Sequence, residues 1–126
     1  MKPGGFDMAR QEDDAIIDAH VHVVPPGLPG LHAFPAALDG PTETVAATVR
    51  AAMRASDTAQ ALAMGSLSDD PDDPLGVAAT LRIADRVPGL HAIGVADPCR
   101  NDAEHLDRVE RPLRQGRVKG LKVYLG

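Results

Sequence analysis

Apolar and polar positions follow two different periods along this chain, and the switches between them mark out its elements. The runs AIIDAHVHVV (15–24), TAQALAMGSL (58–67), LHAIGVADP (90–98) and VKGLKVYLG (118–126) are short, apolar and bounded by turn-forming residues, which predicts four strands. Between them PTETVAATVRAAMRAS (41–56), DPLGVAATLRIADRV (73–87) and NDAEHLDRVERPLRQG (101–116) carry apolar residues at helical spacing and predict three helices. In the first helix Val45, Val49, Ala52 and Met53 fall on one stripe, with Thr42 the expected N-cap after Pro41. In the second, Asp73 is expected to cap, Pro74 to take the first helical position, and Pro88 and Gly89 to end the helix. In the third, Asn101 or Asp102 is the cap, Leu106, Val109 and Leu113 share a face, Pro112 weakens or bends the rod and Gly116 closes it.

The resulting order, β-α-β-α-β-α-β, is that of parallel strands joined by crossover helices, an α/β fold. Residues 1–13 are polar, carry Gly4 and Gly5 and show no period, so they read as a flexible tail before a single domain over 14–126. The 126 residues suit one domain, and 44% hydrophobic with 25% charged residues suits a packed chain rather than a disordered one.

Charge and composition then narrow the partners. A net charge of −5 disfavours nucleic-acid backbone and anionic membrane. Phe6, Phe34 and Tyr124 are the only aromatic residues, so base-stacking platforms are not expected and the core must be aliphatic. Cys99 is the sole cysteine, the N-terminus has no signal-peptide apolar region, and no run approaches the roughly 20 apolar residues of a membrane span. The expectation is a cytoplasmic protein acting on a small molecule.

The chemistry concentrates in Asp18-Ala19-His20-Val21-His22. Strand side chains alternate, so Asp18, His20 and His22 are expected on one face and Ile17, Ala19, Val21 and Val23 on the other. Two imidazoles pointing at one spot form a partial site for a divalent metal, with Zn²⁺ the expected ion. An edge strand with a wet face explains the same alternation. The motif precedes the Pro/Gly-rich loop VVPPGLPG, at the strand end where parallel α/β folds place catalytic residues.

In the last strand Leu121, Val123 and Leu125 are expected to face the helices, leaving Gly120, Lys122 and Tyr124 on the opposite face. Lys122 is then an inward lysine, whose charge burial disfavours and whose amine can act as a nucleophile or be modified. The plainer alternatives are a lysine snorkelling to solvent or one paired with Asp18. Asp97 ends the third strand on the same side as His91, Ile93 and Val95 and is a candidate substrate contact, with a turn-forming Asp-Pro the simpler reading. His32, in the first loop, is a second candidate substrate contact. His91 and His105 read as structural or surface residues, Cys99 as incidental, and the acidic loop SDDPDDP (68–74) as a solvated turn and helix cap that fits no Ca²⁺ loop.

DAHVH closing the first strand and KGLKVYLG as the fourth resemble the amidohydrolase superfamily of metal-dependent TIM-barrel hydrolases. The resemblance implies that His20 and His22 ligate Zn²⁺ or a related metal and that Lys122 matches the fourth-strand lysine carbamylated in binuclear members. HVHVVPPG is similar to the HVHxREPG of dihydroorotases, but Val24 and Pro25 stand where the arginine and glutamate would be, which disfavours that activity. The short N-terminal side resembles the compact amidohydrolase-related branch, which also holds decarboxylases. The family's later ligands, two histidines and an aspartate, would lie beyond Gly126. Four strands and three helices make about half of a TIM-type barrel of about 250 residues, leaving two open edges. The sequence is thus expected to be the N-terminal half of a metal-dependent hydrolase of C–N or C–O bonds. The alternatives are a decarboxylase of the same superfamily, a chain completing the barrel as a homo-oligomer, or an inert self-associating fragment.

Overall fold

The structure, a computed structural model, describes residues 15–25 and 36–124. The expected tail over 1–13, His32 and Leu125 lie outside the described residues. Four strands, β1 (Ile16–Val21), β2 (Thr58–Met64), β3 (Leu90–Ala96) and β4 (Val118–Val123), alternate with three α-helices, α1 (Thr42–Ala55), α2 (Ala78–Ala84) and α3 (Ala103–Arg114). A 3-10 turn, Ala36–Leu38, precedes α1. The strands form one sheet in the order β1-β2-β3-β4, and each neighbouring pair is parallel. The alternating α/β architecture read from the sequence is the observed one. Among the described residues no helix is long and apolar enough to cross a membrane.

Parallel neighbours require crossovers, and the right-handed twist of strands makes nearly all of them right-handed. When spatial order follows chain order, crossovers of one hand all land on the same side of the sheet. The core shows this. Ala61 and Ala63 of β2 and Leu90 of β3 pack with Val45, Ala46 and Val49 of α1 and with Ile83 and Val87. A second cluster joins Leu75 and Val77 to Val109 of α3 and Val118 of β4. Met64, Ile93 and Val95 are also buried but belong to neither cluster. By alternation they lie on the face turned away from the helices.

Two helix starts and one residue of a helix face differ from expectation. Thr42 is not a cap: α1 starts at Thr42 itself, after Pro41, with no side-chain cap, and the Pro41 carbonyl accepts the Val45 N–H at 3.1 Å. Pro41 holds the extended geometry of a cap residue (φ −59°, ψ 145°), so Thr42 is drawn into the first turn.

The second helix begins later than Pro74, because residues 75 and 76 are bound to the sheet. The Leu75 carbonyl accepts the Val95 N–H at 3.0 Å, and the Gly76 carbonyl accepts the Ser66 N–H at 2.9 Å. Leu75 is fully buried. Gly76 sits at φ +59°, where an added Cβ would stand 1.7 Å from the Ser66 carbonyl oxygen, so only glycine fits. Asp73 still serves the helix start from outside it, accepting the N–H groups of Val77 (2.9 Å) and Ala78 (3.1 Å).

In α3, Asp102 rather than Asn101 caps, accepting the His105 N–H at 2.9 Å. Leu106 does not share the buried face. It is 50% exposed, whereas Val109 faces inward with Leu113 packed against the same cluster, as expected, and His105 joins them as a buried residue. Pro112 falls in the last turn, and the helix runs past it to Arg114. Gly116 (φ +71°) then closes the helix as expected, donating to the Leu113 carbonyl while Arg117 donates to that of Pro112.

Candidate metal centre

The pairing of β1 with β2 is irregular, and this decides which side chains meet. Asp18 pairs with Ala61 and Val21 with Ala63, so three steps along β1 match two along β2. Such a bulge reverses the alternation. Ala61 and Ala63 both point into the helix-side core, so Asp18 and Val21 lie on that side as well. By register Asp18 lies on the helix side, where it lines a cavity of about 320 Å³ with His22 and the α1 residues Thr48, Ala52 and Met53. Ile17 is displaced too. It pairs with Gln60, is 64% exposed, and does not belong to the apolar helix-side face. Beyond the bulge Val23 returns to the core, as expected.

Asp18 nevertheless acts on the site through the backbone. Its Oδ1 accepts the His20 N–H at 3.1 Å, closing a local turn around the extra residue. The same geometry removes it as a partner for Lys122.

His20 and His22 do converge. Their Nε2 atoms are 3.1 Å apart, and the rings meet edge to face at 65° with centroids 5.0 Å apart. Two Zn–N bonds of about 2.0–2.1 Å at the tetrahedral angle span about 3.3–3.4 Å between donor atoms. The pair is thus set close to the bite of a tetrahedral ion, and the donors are the borderline-soft nitrogens such an ion prefers. Burial, then His20, then the Lys122 charge hold His22 below its ordinary value of 6.5. At neutral pH the ring is in its uncharged, ligating form. The Nδ1 of His22 is buried and has no hydrogen-bond partner among the described residues. A metal-binding imidazole usually donates this second nitrogen to an acceptor, so here that acceptor is not supplied by the described chain.

The Lys122 charge is the smallest of the three influences on His22. β3 and β4 confirm the facing read from the sequence. Val95 pairs with Lys122 and Gly94 with Leu121, while Gly94 abuts Leu75 of the helix-side cluster. Lys122 is half-buried, with its Nζ 4.5 Å from the centre of the Tyr124 ring, a cation–π contact.

Asp97 stands apart from the imidazoles. It follows β3, is exposed, and accepts the Cys99 N–H at 2.9 Å in a local turn. It lines a cavity of about 760 Å³ together with Tyr124, Arg100, His105 and Arg108. Tyr124 is the shared element, since it borders this cavity and also holds Lys122. The two arginines escaped the sequence reading. Arg100 engages Asp102 and Arg108 engages Glu104, and the only advance signal was the Asp-Pro turn that aims the following residues over the strand ends. His91 places its Nε2 2.5 Å from Gln60 Oε1 on the neighbouring strand. Among the described residues no group of three or more His, Cys, Asp or Glu side chains gathers as a metal cage, so the described ligand set is the pair alone. No family model, curated protein or solved structure matches this chain.

Proposed function

We propose that this chain contributes the first-strand ligands of a metal-dependent hydrolase of the amidohydrolase type, acting on a C–N or C–O bond of a small molecule in the cytoplasm. The observation that carries the reading is the 3.1 Å separation of the His20 and His22 Nε2 atoms at the C-terminal end of the first strand of a parallel sheet. Strand ends of that kind carry the catalytic groups of α/β barrels, and the four strands stand for the first half of one. A divalent ion held there, Zn²⁺ by ligand chemistry, would supply Lewis acidity that lowers the pKa of water to about 7 and polarises a carbonyl.

The chain's own residues have separate tasks. His20 and His22 would hold the ion, and the lowered His22 keeps its lone pair available at neutral pH. Asp18 fixes the His20 backbone. Lys122, the catalytic candidate, lies on the sheet face turned away from the helices, steadied by Tyr124. Asp97 and His32 are the candidate substrate contacts.

Metal analysis after dialysis against limiting Zn²⁺ tests the reading. We expect near-stoichiometric retention by the wild type and a loss of at least tenfold in affinity for His20→Ala or His22→Ala, the two donors acting together. Equal and negligible retention by all three proteins, with folding intact by circular dichroism, would leave the sheet as an inert associating unit.

A further inference from the structure

The connections leaving the C-terminal ends of β2 and β3 enclose, with the start of α3, the cavity of about 760 Å³ that Asp97 borders. Small-molecule sites run to about 300–1,000 Å³. Apart from Tyr124 the wall comes from residues 67–108, so two strand-to-helix connections and one helix build it, and neither His20 nor His22 borders it.

His105 marks this space as a site. It is 5% exposed and borders the cavity, and Asp102 holds its backbone N–H, yet its imidazole has no hydrogen-bond partner among the described residues. A buried polar ring ordinarily finds a partner. Among the described residues the side-chain nitrogen that is both sealed and unpartnered belongs to His22, so the His105 nitrogens still reach open space, and the cavity is the space His105 borders.

Two guanidinium groups border the same space with donors in reserve. Arg100 gives Nε and Nη2 to Asp102, and Arg108 gives Nη2 to Glu104, which leaves Nη1 of each without a partner among the described residues. Planar N–H donors beside an imidazole suit a carboxylate. The opposite sign is supplied by Asp69 and Asp70, from the connection after β2, and by Asp97 after β3. Asp70 and Asp97 each commit one oxygen, Oδ1, to the N–H groups of Asp72 (2.8 Å) and Cys99 (2.9 Å).

This balance selects the ligand. Three carboxylates repel a phosphate or a dicarboxylate, and two guanidinium groups repel a simple amine. A molecule with one charge of each sign at separate ends complements both. We infer that the cavity binds a small zwitterion of the amino-acid class, its carboxylate on Arg100, Arg108 and His105 and its ammonium on Asp69, Asp70 and Asp97. Asp97 is also a candidate substrate contact of the metal-dependent hydrolase, but the inference rests on the cavity and not on a bound ion.

Cys99, the sole cysteine, is exposed and borders the cavity, so its reactivity reports occupancy. The test is the rate of its alkylation by iodoacetamide in the intact chain, in EDTA, against increasing glycine, 4-aminobutanoate or 6-aminohexanoate. Butanoate, hexanoate, butylamine and hexylamine are the single-charge controls. At least one amino acid is expected to slow alkylation saturably, and the controls to need about tenfold more for the same effect, as for loss of a charge-assisted contact. Arg108→Gln and Asp69→Asn are each expected to raise the half-saturating concentration about tenfold with unchanged circular dichroism. Arg111→Gln, on α3 but outside the cavity wall, is expected to leave it unchanged. No slowing by any amino acid, equal slowing by the controls, or wild-type binding by both Arg108→Gln and Asp69→Asn overturns the inference. Zn²⁺ retention without zwitterion binding sinks this inference alone, whereas zwitterion binding by a chain that retains no Zn²⁺ upholds it and sinks only the metal reading.

Discussion

His20 and His22 stand two residues apart, but what aims them is the extra residue in β1 and the carboxylate that clasps it. Asp18 Oδ1 holds the His20 N–H, and on this basis Asp18→Ala should lower Zn²⁺ affinity about tenfold, the usual effect of losing a group that orients a ligand. Asp18→Asn keeps an oxygen acceptor and should retain most of the affinity. Competition with a chromophoric chelator measures both, and equal losses in the two variants would show that the charge rather than the hydrogen bond matters. His22 adds a pH dependence. Its folded value lies below 6.5 because of burial, His20 and Lys122, so between that lowered value and 6.5 the unfolded chain binds more protons than the folded one. This contribution to stability is complete above the ordinary value and is lost as pH falls through the folded one. The urea midpoint should decline on acidification through this window, and less so in His22→Gln. The effect is small because the ring is only partly buried. The imidazole spacing was legible in DAHVH; the face taken by Asp18 was not, because a bulge depends on how β2 is placed beside β1.

At the scale of elements, the segment between β2 and α2 shows where local propensity yields to tertiary bonding. Asp-Pro at 73–74 is a sound helix start by its own chemistry, and Asp73 does reach the first N–H groups. The helix is delayed because Leu75 and Gly76 give their carbonyls to β3 and to Ser66. Leu75→Ala, at a fully buried site, should destabilise by about 2–5 kcal/mol through lost burial and a residual cavity. Gly76→Ala should cost about 1–3 kcal/mol or more, combining left-handed strain with the clash against Ser66. Chemical denaturation reads both. A near-neutral Gly76→Ala would mean that the Ser66 contact relaxes easily. The termini of α3 were legible because Asp102 and Gly116 act locally, and so were Val109 and Leu113 on its buried face; Leu106 is spaced like a core residue but stays exposed.

Across the whole molecule, the charges decorate rather than hold the fold. Arg108–Glu104, Arg111–Asp107 and Arg114–Glu110 run along α3, and Arg86–Glu43 links the end of α2 to α1, all with exposed side chains. Exposed pairs contribute about 0–1 kcal/mol each and are screened by salt. The unfolding free energy should therefore change by no more than about 1 kcal/mol between low and physiological ionic strength, by urea titration at each salt level. A larger fall would point to a charge network not evident in these pairs. Stability rests instead on the aliphatic layer between sheet and helices.

The order and kind of the elements, the single-sided helix layer and the two-residue spacing of the imidazoles follow from the sequence alone. Each depends on short-range periodicity, cap residues or the fixed handedness of crossovers. The bulge that turns Asp18 to the helix side and the binding of Leu75 and Gly76 to the sheet belong to the tertiary structure. They arise from strand register, which is set by contacts between residues distant along the chain.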